Sequence, residues 1–246
     1  MLSHDYSNAR RIYEECLVLA RNLEYVWGEA QIQLELGEVM RLLGEYSYAK
    51  QLLLQSETRR ANLQAPVEQV YNDTILARLH CYLGDFQQAH RWLDRTLASP
   101  LFQSSGLHQF FGFSQRALFA YLTGDAETAL RAAQEVVQIG QRLNRPICQA
   151  EGLLLIGHAA RELQRSEQAE QSYRDAHRLY TQIGNNTALV EVCAGLALLA
   201  QQQGELVEAQ RRIEEFLPQL DGKSQLGLDE PFFTYLAAYQ ILAAAH

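Results

Sequence analysis

The chain has 246 residues, 48% of them hydrophobic and 20% charged, with a formal net charge of −8. Its charges are mixed, without a long run of one sign, which argues against nucleic acid and anionic membrane surfaces, since both need clustered Lys and Arg. No apolar stretch reaches transmembrane length, and Met1-Leu2-Ser3-His4-Asp5 lacks the charged-then-apolar order of a secretion signal. Cys16, Cys81, Cys148 and Cys193 are far apart, with no C-x-x-C pair. They fit free thiols in helices of a protein kept in a reducing compartment, and a cytoplasmic location is expected.

Residues 5–23 carry one helical pattern, with Ala9 and Tyr13 four apart. From Glu24 a repeat of forty residues begins. In the first full unit, 24–63, Ala30, Leu34, Gly37, Met40 and Leu43 form the stripe of an amphipathic helix. Gly44-Glu45-Tyr46 then breaks it, and glycine suits that place because it takes positive φ without a Cβ clash. A second stripe follows in Ala49, Leu52 and Leu53. Each unit therefore reads as helix A, tight turn, helix B.

The units 64–103, 104–143, 144–183 and 184–223 repeat this plan. Their turns are Gly84-Asp85-Phe86, Gly124-Asp125-Ala126 and Gly204-Glu205-Leu206, with Gln164-Arg165-Ser166 as the one lapse. Small residues recur on both helices: Gly37, Ala77, Ala117, Gly157 and Ala197 on A, then Ala49, Ala89, Ala129, Ala169 and Ala209 on B. Without bulk at the crossing, two helix backbones can come within about 8–10 Å. Ala133 and Arg116 break the series of large apolar neighbours, so the unit around Gly124 is expected to pack least regularly. Ser99-Pro100-Leu101-Phe102-Gln103-Ser104-Ser105-Gly106 reads as an irregular loop whose Leu101 and Phe102 either tuck under helices or stand exposed.

In this register His4 stands at a turn position, so residues 5–23 are a helix B lacking its helix A. Residues 229–246 start a helix A, with Pro231 suited to its first turn, and stop where the next turn should begin. Neither end reads as a polar cap. The expected architecture is all-α: a right-handed α-solenoid of antiparallel helix pairs in one superhelical domain, with about twelve helices. The unfinished ends point to a fragment of a longer protein, or else to end helices that serve as caps.

The pattern resembles the tetratricopeptide repeat, matched by Leu36-Gly37, Gly44-Glu45-Tyr46, Ala49 and Leu53 and by four further units. Two features depart from the family: the period is forty rather than about thirty-four, and the proline closing helix B is absent. The extra residues should lengthen the helices or the B-to-A connection. Pro231, Phe232, Tyr235, Leu236, Tyr239 and Leu242 resemble the C-terminal arm of bacterial signal-transduction ATPases and maltose-activator-like transcription regulators. That resemblance implies a non-catalytic sensor arm that recognises protein or peptide and signals to an ATPase module. The alternative is a freestanding adaptor that bridges partners without a switch.

Chemistry-bearing motifs are weak. Asp221-Gly222-Lys223-Ser224 ends like a P-loop, but Leu217 stands where the first glycine belongs and a helix precedes it. His80, His90, His108, His158 and His177 have no metal-ligand spacing, so neither an enzyme nor a cofactor or metal is expected. The inner face of a tetratricopeptide array is lined by its A helices. By register this face presents Tyr71, Arg78, Tyr82, Phe111, Leu118, Tyr121 and His158 as the candidate groove. No Lys or Asn stands there to clamp an acidic C-terminal tail. An aromatic patch suits an amphipathic helix or apolar peptide, unless neighbouring repeats bury it. Exposed end helices would favour association between copies.

Overall fold

A computed structural model describes residues 6–63, 66–219 and 231–244. Thirteen α-helices and no strand lie among the described residues, an all-α helical-repeat fold. In chain order they are α1 (Tyr6–Asn22), α2 (Val26–Leu42), α3 (Tyr46–Leu63), α4 (Pro66–Tyr82), α5 (Phe86–Ala98), α6 (Pro100–Ser104) and α7 (Gly106–Leu122). There follow α8 (Ala126–Arg142), α9 (Pro146–Glu162), α10 (Ser166–Ile183), α11 (Asn186–Gln202), α12 (Leu206–Phe216) and α13 (Pro231–Ala244). His4, Asp221-Gly222-Lys223-Ser224 and His246 lie outside the described residues.

The turns explain the length of the period. After α2, Glu45 N–H donates to Met40 O at 2.9 Å, six residues closed by the left-handed Gly44. The same six-residue closure joins Asp85 to His80, Asp125 to Ala120, and Glu205 to Ala200. It also closes three B-to-A turns, where Tyr25 donates to Ala20, Arg145 to Gly140, and Asn185 to Tyr180. This is the Schellman closure, which satisfies the last helix carbonyls. At these positions both kinds of connection are equally short, and the extra residues have gone into helices of mostly 17 or 18 residues. The lapse at Gln164 keeps the turn: φ is 58° there, and Arg165 N–H donates to Ala160 O at 2.9 Å.

The expected irregular loop is instead a short helix. Ser99 caps α6, its Oγ accepting from Leu101 N–H at 3.3 Å, with Pro100 in the first turn. Phe102 is buried beside Phe113, ring centroids 5.2 Å apart, and fills the space that a Cβ on Gly112 would take.

The chain divides into two compact units, Leu2–Phe119 and Ala120–His246, and the division falls inside α7, in the repeat around Gly124. The first unit is centred on Leu17, Leu34, Leu36, Met40, Leu52, Leu53, Leu76 and Leu79. Polar staples tie its helices together. Ser56 Oγ donates to Ala30 O at 2.7 Å, Asn72 Nδ2 to Leu53 O at 3.1 Å, and Arg95 binds both oxygens of Asp73 at 2.7 Å. The second unit has one cluster around Tyr173, Tyr180, Leu196 and Leu199 and another around Leu198, Ile213, Phe216 and Ile241. Tyr173 fits there because Gly157 on α9 and Gly195 on α11 face its ring. A Cβ on either would come within 2.5 Å and 2.6 Å of it.

Candidate functional site along the A helices

In the first unit α2, α4 and α7 bring their register-matched positions side by side. Tyr71 on α4 packs against Phe111 on α7, centroids 4.8 Å apart. Arg78 Nε donates to Gln115 Oε1 at 3.2 Å. Arg41 on α2 donates from Nε and Nη2 to the two oxygens of Glu38, both at 2.8 Å. Its Nη1 reaches Tyr82 Oη at 3.4 Å, with the guanidinium 5.6 Å from the ring centroid. A planar fork that pairs a carboxylate and also sits over a ring is work that Arg does and Lys does not. Burial pushes the Glu35 carboxyl and the Tyr71 hydroxyl above their ordinary values.

The second unit repeats the Arg–Tyr pairing. Arg161 on α9 donates from Nη2 to Tyr121 Oη at 3.2 Å and to Glu162 Oε1 at 2.6 Å. Tyr121 stacks on His158, centroids 5.3 Å apart. His158 is fully enclosed and shares a 2.8 Å hydrogen bond between Nδ1 and Tyr173 Oη. Burial, and secondarily the nearby Arg161 charge, push the imidazole down to about 3, so it is neutral at physiological pH. Beside this cluster a cleft of about 610 Å³ opens between the α7–α8 turn and the end of α9, bordered by Tyr121, Asp125, Glu127 and Glu162. Arg165 pairs with Glu127 at 2.6 Å on its rim.

The seven candidate residues thus fall into two classes. Tyr71, Arg78, Tyr82, Phe111 and Tyr121 are partly buried and keep some surface, whereas Leu118 and His158 are buried. Tyr71 meets Phe111, and Tyr121 meets His158. Arg41 and Arg161 were not among the seven sequence candidates. The visible signal was Arg41, Tyr121 and Arg161 at one position of the forty-residue register, with Cys81 between the first two. It gave no sign of Tyr173 as the partner of His158, nor of Phe233. Phe233, on α13, lies edge-on to His158 at 4.3 Å and to Tyr121 at 6.5 Å.

No group of three or more His, Cys, Asp or Glu set to hold a metal occurs among the described residues. No described helix is long and apolar enough to cross a membrane. The four cysteines are free, and burial pushes the Cys148 thiol up to about 11.

No protein-family model and no curated protein matches this sequence. Solved structures do resemble the fold. One is a signal-transduction ATPase with numerous domains carrying a tetratricopeptide repeat sensor, from Pyrococcus horikoshii, with a TM-score of 0.66 at 17% identity. The match covers 95% of this chain and 33% of that one. Another is the APC/C hetero-tetramer Cut9-Hcn1, with a TM-score of 0.65 at 16% identity, covering 95% of this chain and 39% of that one. A third is BtubC from P. vanneervenii, with a TM-score of 0.63 at 16% identity, covering 98% of this chain and 92% of that one. The chain spans little more than a third of the first two. With its left-handed turns, small residues at the helix crossings and paired helices, this chain has a tetratricopeptide-like helical-repeat fold.

Proposed function

We propose that this chain is a non-catalytic scaffold that recognises a protein or peptide along the face of its A helices. The observation that carries this reading is the half-open strip of Tyr71, Phe111, Arg78 and Tyr82. Aromatic rings backed by paired Arg residues offer apolar area together with hydrogen-bond donors, the composition of peptide-binding hot spots. The finer reading is a sensor or regulatory arm of a larger cytoplasmic ATPase or transcription regulator of a bacterium, a single array of half repeats (5–23, 229–246) around five full ones. Its support is the C-terminal Pro231–Leu242 pattern and the likeness to an ATPase with a tetratricopeptide repeat sensor. A freestanding adaptor is the second reading, favoured by the 92% coverage of BtubC, a chain of about this size.

The test uses the full chain and helical peptides selected against it from a display library. Tyr71→Ala with Phe111→Ala should weaken the selected peptides at least tenfold. The lost aromatic pair should cost only about 0.5–1.5 kcal/mol beyond its buried area, read as a modest drop in melting temperature. Unchanged affinity, or collapse of the fold, would refute the strip as the binding face. An ATPase module encoded in the same reading frame upstream would separate the arm from the adaptor.

A further inference from the structure

The helix at the C-terminal side of the array packs differently from the other A helices. Four A helices pack closely on the preceding helix: α2 on α1, α4 on α3, α9 on α8 and α11 on α10. Helix α13 packs more extensively on α11 than on α12, although Ala209, Ile213 and Phe216 of α12 belong to its core cluster. Its Ala237, Ala238 and Ile241 share a core cluster with Ala194 and Leu198 of α11, and Phe233 packs against the same cluster. Leu198 stands forty residues after the groove candidate His158, and Ala194 lies one turn before it on the same face; Tyr121 and His158, also groove candidates, receive the ring of Phe233. Helix α13 therefore lies over the groove face of its own unit.

We infer that α13 is an internal occupant of a helix-binding site formed by α7, α9 and α11, and that this site also accepts a separate helix of the same design. The inference deepens the proposed recognition function and rests on it. The design is explicit: a Phe anchor, small residues four and five positions later, and a branched apolar residue at the eighth, as in Phe233, Ala237, Ala238 and Ile241. These positions follow one helix face. The Phe enters the cage of Tyr121 and His158, while the alanines let the backbone lie close to Ala194. Two of the four anchors are alanines, which bury little apolar area; on this inference the seat is one that α13 can leave. Its opposite face carries Phe232, Tyr235, Leu236 and Tyr239, each more than half exposed. A helix apolar on both faces but seated on one is poorly matched to its resting place. Occupation by α13 would lower the apparent affinity for an outside helix by the fraction of time the site is open.

The experiment uses the full chain and a fluorescent, lysine-tagged peptide with the sequence of residues 229–246. A full-length Phe233→Ala/Ile241→Ala variant should bind the peptide at least tenfold more tightly than the unaltered chain does. A peptide carrying the equivalent of Phe233→Ala should bind neither. In the unaltered chain, amide exchange of α13 should be at least tenfold faster than that of α11. Equal peptide affinity for both chains, absence of binding, or α13 protection equal to that of α11 would each overturn the inference. Because Tyr71 and Phe111 lie in the other unit, loss of selected peptides on their substitution would leave the broader recognition reading standing if α13 proved fixed.

Discussion

At the scale of the residue, His158 shows how burial turns an ordinary titratable group into a packing element. Enclosed with Tyr121, Tyr173 and Phe233, it holds its imidazole neutral down to about pH 3. In the unfolded chain the same ring takes a proton near pH 6.5. Between those values the unfolded state binds the extra proton, so the contribution of His158 to stability falls as pH falls, by about 1.4 kcal/mol per pH unit. Asp73 works in the opposite direction: burial outweighs its pairing with Arg95 and raises the carboxyl to about 6. The folded state then holds the extra proton between about pH 4 and 6, and its contribution falls as pH rises. The two slopes offset each other in the intact protein. They separate by comparison with His158→Gln in urea unfolding. The variant should be less stable at pH 7, where the Tyr173 hydrogen bond is disturbed. It should close that gap by about 2–3 kcal/mol at pH 4.5. A gap that is the same at both pH values would show that the imidazole is not held neutral.

At the scale of the element, the helices are bounded by one device used again and again. A left-handed residue closes the last turn, and the helix that follows starts two residues later. This was legible at Gly44, Gly84, Gly124 and Gly204, because only glycine takes that conformation without strain, whereas the left-handed Gly184 stands outside that series and was not singled out. It was illegible at Glu24, Asn144 and Gln164, which adopt positive φ although they carry a Cβ. There the packing on both sides of the turn imposes the conformation, through alanines such as Ala160 and Ala169 that are completely buried. Left-handed backbone costs a residue with a side chain roughly 1–2 kcal/mol, partly offset by the chain entropy that glycine would add to the unfolded state. Gln164→Gly should accordingly raise stability by about 0.5–1 kcal/mol, read as a higher urea midpoint with an unchanged slope. A lower midpoint would mean that the Gln164 side chain makes a contact worth more than the strain. Helix α6 was misread for a related reason. Pro, Ser and Gly mark the start and end of a short helix as well as they mark a loop, and the Ser99 cap with the Ser105 N–H to Leu101 O bond at 3.0 Å distinguishes the two.

At the scale of the whole molecule, a repeat array is stabilised by each helix pair and by its contacts with immediate neighbours. Gly157→Ala tests that property, because a Cβ there would press on the Tyr173 ring between α9, α10 and α11. Overpacking of this kind should cost about 1–3 kcal/mol. Loss of amide protection should be greatest in α9, α10 and α11 and should diminish with distance along the chain. Uniform loss across all helices would indicate a single cooperative block instead. The sequence by itself determined the all-α repeat, the helix pairs and the crossings at small residues. Those features depend on turns and spacings that repeat within forty residues, so local signals carry them. Only the tertiary structure decided which part of the A-helix face stays open. Phe233 comes to rest on His158, seventy-five residues earlier in the chain, and Tyr173 fills the gap between two glycines on different helices. No periodicity encodes such contacts, because each is made once, between segments whose meeting depends on how the repeats stack.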